Sequence, residues 1–242
     1  MFVFYDFLKK ISKNQNVALI GLALVSISPW HILQSIWALD CNMFPHFLLF
    51  AMDLFYTGIM NKKNVILYIS MLFFAVCLYC YGVAIYFVPL FLFIMSIYLL
   101  KIKHVKIKDI IICVIIFLVF AMPIITMFAI NVCKINQNIE IGVITIPYYE
   151  GLSRTQDMLF FAPNKLEQLL KNMDSTLRVI FKQVDGAEWN SSKLFGVTYR
   201  ITILFMIIGF IKIIKNIKKE KEDIASIMLI WWLSISILTG LI

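Results

Sequence analysis

The chain lacks the residue patterns of soluble nucleotide and hydrolytic chemistry: it has no Walker phosphate loop, no dinucleotide glycine fingerprint, no HExxH pair and no GxSxG nucleophile elbow. It also lacks internal repeats, low-complexity tracts and Pro/Gly/Ser linkers, which excludes a string of tethered domains. A secretory signal pattern is missing, because the apolar start MFVFY is short and is followed at once by Asp6 and lysines. Cysteine is scarce. The five residues at 41, 77, 80, 113 and 133 all lie in or beside apolar runs, so there is no disulfide framework. Cys77 and Cys80 have CxxC spacing, but they sit in an aromatic stretch without neighbouring His or carboxylate partners, and the sequence names no metal ligands.

Apolar residues are abundant instead. They make up 62% of the 242 positions, with a mean hydropathy of +0.89, against roughly 45 to 50% in soluble domains. This composition predicts a polytopic membrane protein. A span needs about 20 apolar residues, and seven runs qualify, near 16–30, 43–60, 65–81, 82–100, 110–131, 196–214 and 224–242. The expected fold class is all-α, a multi-pass transmembrane helical bundle.

The net charge of +8 is concentrated in short segments between these runs: Lys9, Lys10 and Lys13; Lys62 and Lys63; Lys101, Lys103, Lys106 and Lys108; then 212–221. Threading seven spans through a bilayer puts every cluster on one side, which the positive-inside rule makes cytoplasmic. The basicity therefore reports topology and not nucleic acid. The long polar segment 132–195 then falls outside the cell membrane, and its seven Lys/Arg are balanced by seven Asp/Glu. The expected organisation is membrane helices over 1–131 with an outward polar segment at 28–45, an extracytoplasmic loop at 132–195, and further membrane helices over 196–242. Within the loop, apolar residues at 166, 169, 170, 173, 177 and 180 predict an amphipathic helix over 164–184.

Functional candidates are polar groups in places where hydrocarbon penalises them. The segment 28–45, SPWHILQSIWALDCNMFP, carries His31, Gln34, Asp40 and Asn42 between two apolar runs, so these groups belong at an interface or facing a cavity. Trp30 and Trp37 suit interfacial anchoring or sugar stacking. Asp40 reads either as a substrate-orienting carboxylate or as a helix cap. Asp53 falls inside a span, with His46 seven residues earlier on about the same face. An intramembrane carboxylate is a functional candidate by default. In the loop, Tyr148, Tyr149, Glu150 and Arg154 form one polar aromatic cluster, and Asp185, Glu188, Trp189 and Asn190 another. Aromatic faces beside carboxylates and amides suit sugar hydroxyls. Arg200, apart from the basic clusters, either snorkels to the interface or contacts a phosphate.

These motifs carry a resemblance. The run SPWHILQSIWALDCNMFP resembles the S-P-W-H-x-x-x-S-R-W-x-L-D-x-N-x-x-P segment of family 39 type membrane glycosyltransferases, which share the multi-span GT-C fold with protein O-mannosyltransferases and lipid A aminoarabinose transferases. LYCYGVA at 78–84, ITIP at 144–147 with Arg154 beyond it, QVDGAEWN at 183–190 and GVTY at 196–199 extend it over most of the chain. The resemblance implies transfer of a sugar from a polyprenyl-phosphate donor to an extracytoplasmic acceptor. Such transfer needs a carboxylate to take the acceptor proton, and a cation or divalent metal to neutralise the departing phosphate.

Two departures stand out. Ile36 occupies the position of the usual Arg, removing a cation suited to phosphate. The usual catalytic acid belongs to a first outer loop expected upstream of this chain, so the chain is expected to be a fragment with its catalytic residue unknown. The substrate-binding candidates are His31, Asp40, Asn42, Arg154, Asp185, Trp189, Asn190 and Arg200. The expected partners are the lipid-linked donor, the acceptor and membrane lipids. Two alternatives stand beside the enzyme: a polysaccharide or lipid-linked-sugar transporter relaying protons through Asp53 and His46, and a non-catalytic membrane derivative.

Overall fold

Apolar runs that enter a bilayer must satisfy their backbone polar groups internally, which helices do, and helices dominate the computed structural model of the chain. The structure describes residues 1–37, 39–133, 135, 137–142, 144–148, 159, 162–184, 186, 190–192, 194–219 and 223–241. Among them the chain runs through α1 (Phe2–Ser12), α2 (Gln15–Ser26), α3 (Pro29–Ile36), α4 (Met43–Met60), α5 (Asn64–Cys80), α6 (Ala84–Lys101) and α7 (Ile107–Val132). The strands β1 (Ile139–Ile141) and β2 (Ile144–Ile146) follow, then α8 (Lys165–Leu177), α9 (Thr202–Lys219) and α10 (Ile224–Leu241).

Four of these helices, α4, α6, α7 and α10, are long and apolar enough to cross a membrane. Residues 15–36 add a fifth crossing if α2 and α3, bent by 54° at their junction, count as one span. The sequence reading expects seven, and the two remaining runs differ for physical reasons. The α5 helix is apolar but only 17 residues long. The α9 helix starts at Thr202, later than the expected 196, and carries Lys212, Lys215, Lys218 and Lys219 in its second half. A small antiparallel hairpin also interrupts the all-α expectation, pairing Ile139 with Ile146 and Ile141 with Ile144 around Gly142, whose φ of 60° a glycine adopts freely.

The core is aromatic. Phe55, Phe74 and Phe91, on α4, α5 and α6, meet with ring centroids 5.9 to 6.2 Å apart, and Phe87 stacks on Phe91 at 6.0 Å. Between membrane helices close packing replaces escape from water as the attraction, and each such ring pair contributes about 0.5 to 1.5 kcal/mol. Close approach also needs small residues. At Gly58 a Cβ would stand 2.6 Å from the Leu67 nitrogen, so the α4–α5 hairpin closes tightly only around glycine.

The helices have two chemically distinct ends. At one, Lys13 and Lys219 border a common polar cavity with Tyr56, and Lys62, Lys106 and Lys108 border another beside Gly58. The lysine clusters thus gather where α4 ends. At the other end, Phe44 at the start of α4 lies 6.1 Å, ring to ring, from Tyr81 after α5, and the amphipathic α8 docks on the end of α10, where Thr176 Oγ1 donates to the Gly240 carbonyl at 2.9 Å.

Candidate functional site

The break between α2 and α3 builds the site. Proline disfavours helical backbone in the residue before it, and Ser28 is extended (φ −62°, ψ 130°) ahead of Pro29. A helix interrupted this way leaves carbonyls at one end and N–H groups at the other without intrahelical partners. Residues 197–199 supply them. Tyr199 Oη donates to the Ile27 carbonyl at 2.9 Å, and the Trp30 N–H donates to the Val197 carbonyl at 2.8 Å. Two stretches about 170 residues apart in sequence are thereby joined.

Gln183 holds the second stretch in shape. Its carbonyl accepts the Val197 N–H at 3.0 Å and its side-chain oxygen accepts the Thr198 N–H at 3.1 Å, while the residue itself is buried with φ 55°. Gly196 makes this approach sterically feasible: its φ is 82°, and a Cβ there would lie 2.8 Å from Gln183 Cβ. Sequence reading missed Gln183 and Tyr199 as organising residues. The available signal was an amide side chain at the end of the amphipathic run, with a glycine thirteen residues on.

Of the candidates, Asn42 and Asn190 come together around Gln34, whose Nε2 donates to Asn190 Oδ1 at 2.5 Å. The Asn42 amide donates to the carbonyls of Gln34 (3.0 Å) and Trp37 (2.5 Å), which makes it the C-terminal cap of α3. Its own carbonyl accepts from His46 Nδ1 at 2.8 Å, which places a proton on that nitrogen. His31, half-buried in the first turn of α3, has its ring 6.4 Å from the His46 ring. Asp40 opens a 3-10 turn, Asp40–Asn42, between α3 and α4. Arg200 is exposed next to Tyr199 and forms no ion pair with a described residue. Arg154, Asp185 and Trp189 lie outside the described residues.

Beside this junction is a groove of about 640 Å³, walled by Gln34, Trp37, Asn42 and His46 and floored by Phe47, Phe50 and Phe73. Trp37 leaves 49% of its surface open. The groove combines an aromatic face with amide and imidazole groups, a combination suited to a polar ring-shaped ligand. Among the described residues no three His, Cys, Asp or Glu side chains group closely enough to hold a metal ion.

Asp53 has a partner that its isolation in the sequence concealed. Lys10 on α1 reaches both of its carboxylate oxygens, at 2.8 and 2.9 Å, and also contacts Asp6 at 2.6 Å. Burial pulls the Lys10 pKa down, but the two carboxylates outweigh it and hold the group above its ordinary value. His46 is engaged elsewhere, about 10 Å along the helix for a seven-residue separation, and among the described residues it is bonded to the Asn42 carbonyl while Asp53 is bonded to Lys10.

In comparisons with protein-family models, curated proteins and solved structures, none matches this chain.

Proposed function

We propose that the chain is the body of a membrane glycosyltransferase of the family 39 type, moving a sugar from a polyprenyl-phosphate donor to an extracytoplasmic acceptor. The observation that carries this reading is the junction itself. The SPWH segment and the 183–199 segment, which bear the resemblance independently, are the two stretches joined by Trp30, Gln34 and Tyr199. In this reading the sugar lies in the groove against Trp37, beside Gln34, Asn42 and His46, and Asp40 and Asn190 are the residues proposed to orient donor or acceptor. Arg200, exposed and without an ion pair among the described residues, neutralises the departing phosphate with its bidentate donors. The reading also requires a carboxylate to take the acceptor proton. The lysine-bordered end faces the cytoplasm and the junction faces outward.

The enzyme reading is preferred to the transporter reading because the Asp53 carboxylate is paired with Lys10 and the His46 ring is bonded to the Asn42 carbonyl. The test is sugar transfer from a polyprenyl-phosphate donor in membranes containing the whole gene product. Arg200→Gln lowers transfer about 10- to 100-fold, the effect of losing a charge-assisted contact, with Arg200→Lys partly active. Asp40→Asn also lowers transfer at unchanged levels of folded protein. Full activity in both variants would remove the reading's named residues.

A further inference from the structure

The lysine-bordered end contains an arrangement that topology alone does not require. Two connections are stitched together there: His104, between α6 and α7, has Nε2 3.3 Å from the Ile59 carbonyl, while Asn64 and Tyr68 on α5 donate to Asp109 Oδ1 on α7 at 2.9 and 2.8 Å. Between them is a cavity of about 540 Å³ bordered by Lys62, Lys106 and Lys108. Three ammonium groups thus share a space with one carboxylate, and that carboxylate already accepts two hydrogen bonds. None of the three lysines forms an ion pair with a described residue. An excess of cations around a single cavity favours an anion there.

A second observation identifies the kind of anion. An apolar slot of about 330 Å³ lies between α5, α6 and α7, and Leu67 and Val105 line both it and the basic cavity. The slot opens where α7 packs broadly along α5 while α6 divides its packing between α10 and α5. Its walls include Met71, Pro89, Ile97 and Phe117, with only the Ser96 hydroxyl as a polar side-chain group beyond the Cys113 thiol. A free phosphate needs no such extension; an amphiphile with an acidic head and an alkyl tail fills both parts.

We propose that this is a binding site for an anionic glycerophospholipid, its phosphate against Lys62, Lys106 and Lys108 and one acyl chain in the slot. Basic pockets between membrane helices on the cytoplasmic side take up acidic headgroups in this way. Bound lipid fixes the α4–α5 and α6–α7 connections to each other. The site lies at the opposite end from the sugar-transfer groove and stands or falls separately from it.

The test is native mass spectrometry of the full chain released from membranes of equal phosphatidylglycerol and phosphatidylcholine content. The chain is expected to retain phosphatidylglycerol at least about tenfold over phosphatidylcholine, with the preference falling as salt is raised. Replacing the three lysines together (K62Q, K106Q and K108Q) abolishes the preference, and Ser96→Phe, which fills the slot without changing charge, lowers retention of both lipids. Equal retention by the unmodified chain, a preference that ignores salt, or an undiminished preference in the triple variant would each overturn the proposal. Displacement of the lipid by millimolar inorganic phosphate would also overturn it, making the cavity a phosphate site with no chain requirement. If the triple variant does not fold, the salt dependence of the unmodified chain decides the matter.

Discussion

Asp53 illustrates how a single residue changes meaning once its neighbour is known. In the sequence it is an isolated carboxylate inside an apolar run; in the structure it is 6% exposed and bound by Lys10, 43 positions earlier. Removing Lys10 leaves the buried Asp53 carboxylate without compensation, whereas replacing both with apolar groups restores a packed contact. Lys10→Met is therefore expected to destabilise the protein by about 2 to 4 kcal/mol, and the double variant K10M with D53L to recover most of that loss, as a double-mutant cycle of unfolding in detergent would register. The sign with pH follows from the Lys10 shift. A lysine whose folded pKa is raised contributes stability that is complete below its ordinary value of about 10.4 and fades as pH rises through the folded value. An alkaline loss of thermal stability that is smaller in K10M is the expected result. Nothing in the sequence announced this pair, because no spacing rule connects positions 10 and 53.

Elements were more legible than contacts. The runs at 43–60, 82–100, 110–131 and 224–242 appear as α4, α6, α7 and α10 with ends shifted by a few residues, because length and apolarity suffice to make a helix in hydrocarbon. The amphipathic pattern over 164–184 likewise appears as α8, followed by a π-helical turn at Arg178–Lys182. The run near 196–214 starts late because residues 196–199 are held as a turn by Gln183, a tertiary contact that periodicity does not encode. At the α4–α5 hairpin the decisive residue is Gly58. Gly58→Ala forces a Cβ against the Leu67 backbone at 2.6 Å, where no rotamer change relieves the clash. A loss of about 1 to 3 kcal/mol is expected, read as a lower unfolding temperature in detergent, and Gly209→Ala, with nothing near its Cβ, serves as the matched control.

For the whole molecule, the two ends make a topological prediction. Single cysteines introduced at Lys13, Lys62, Lys106 and Asn216 in a cysteine-free background are expected to share one accessibility class toward an impermeant thiol reagent, and cysteines at Gln137 and Lys165 to share the opposite class. Lys62, Lys106 and Lys108 border one cavity, so α5 and α6 run out and back between them, and the accessibility pattern tests whether the 17-residue α5 serves as a crossing. Mixed accessibility among the four basic positions would sink both the seven-span threading and the orientation drawn from it.

The sequence by itself determined the class of molecule, because apolar content and the position of lysines act through solvation, which depends on composition and not on neighbours. It also marked the two halves of the candidate site: the SPWH segment and the stretch from Gln183 to Tyr199 were legible as motifs. Only the tertiary structure decided that these halves meet, that Gln34 joins them while the Asn42 amide is occupied at the end of α3, and that Asp53 is paired. Those facts depend on which carbonyls and N–H groups a helix break leaves open and on what the chain brings to them more than a hundred residues later.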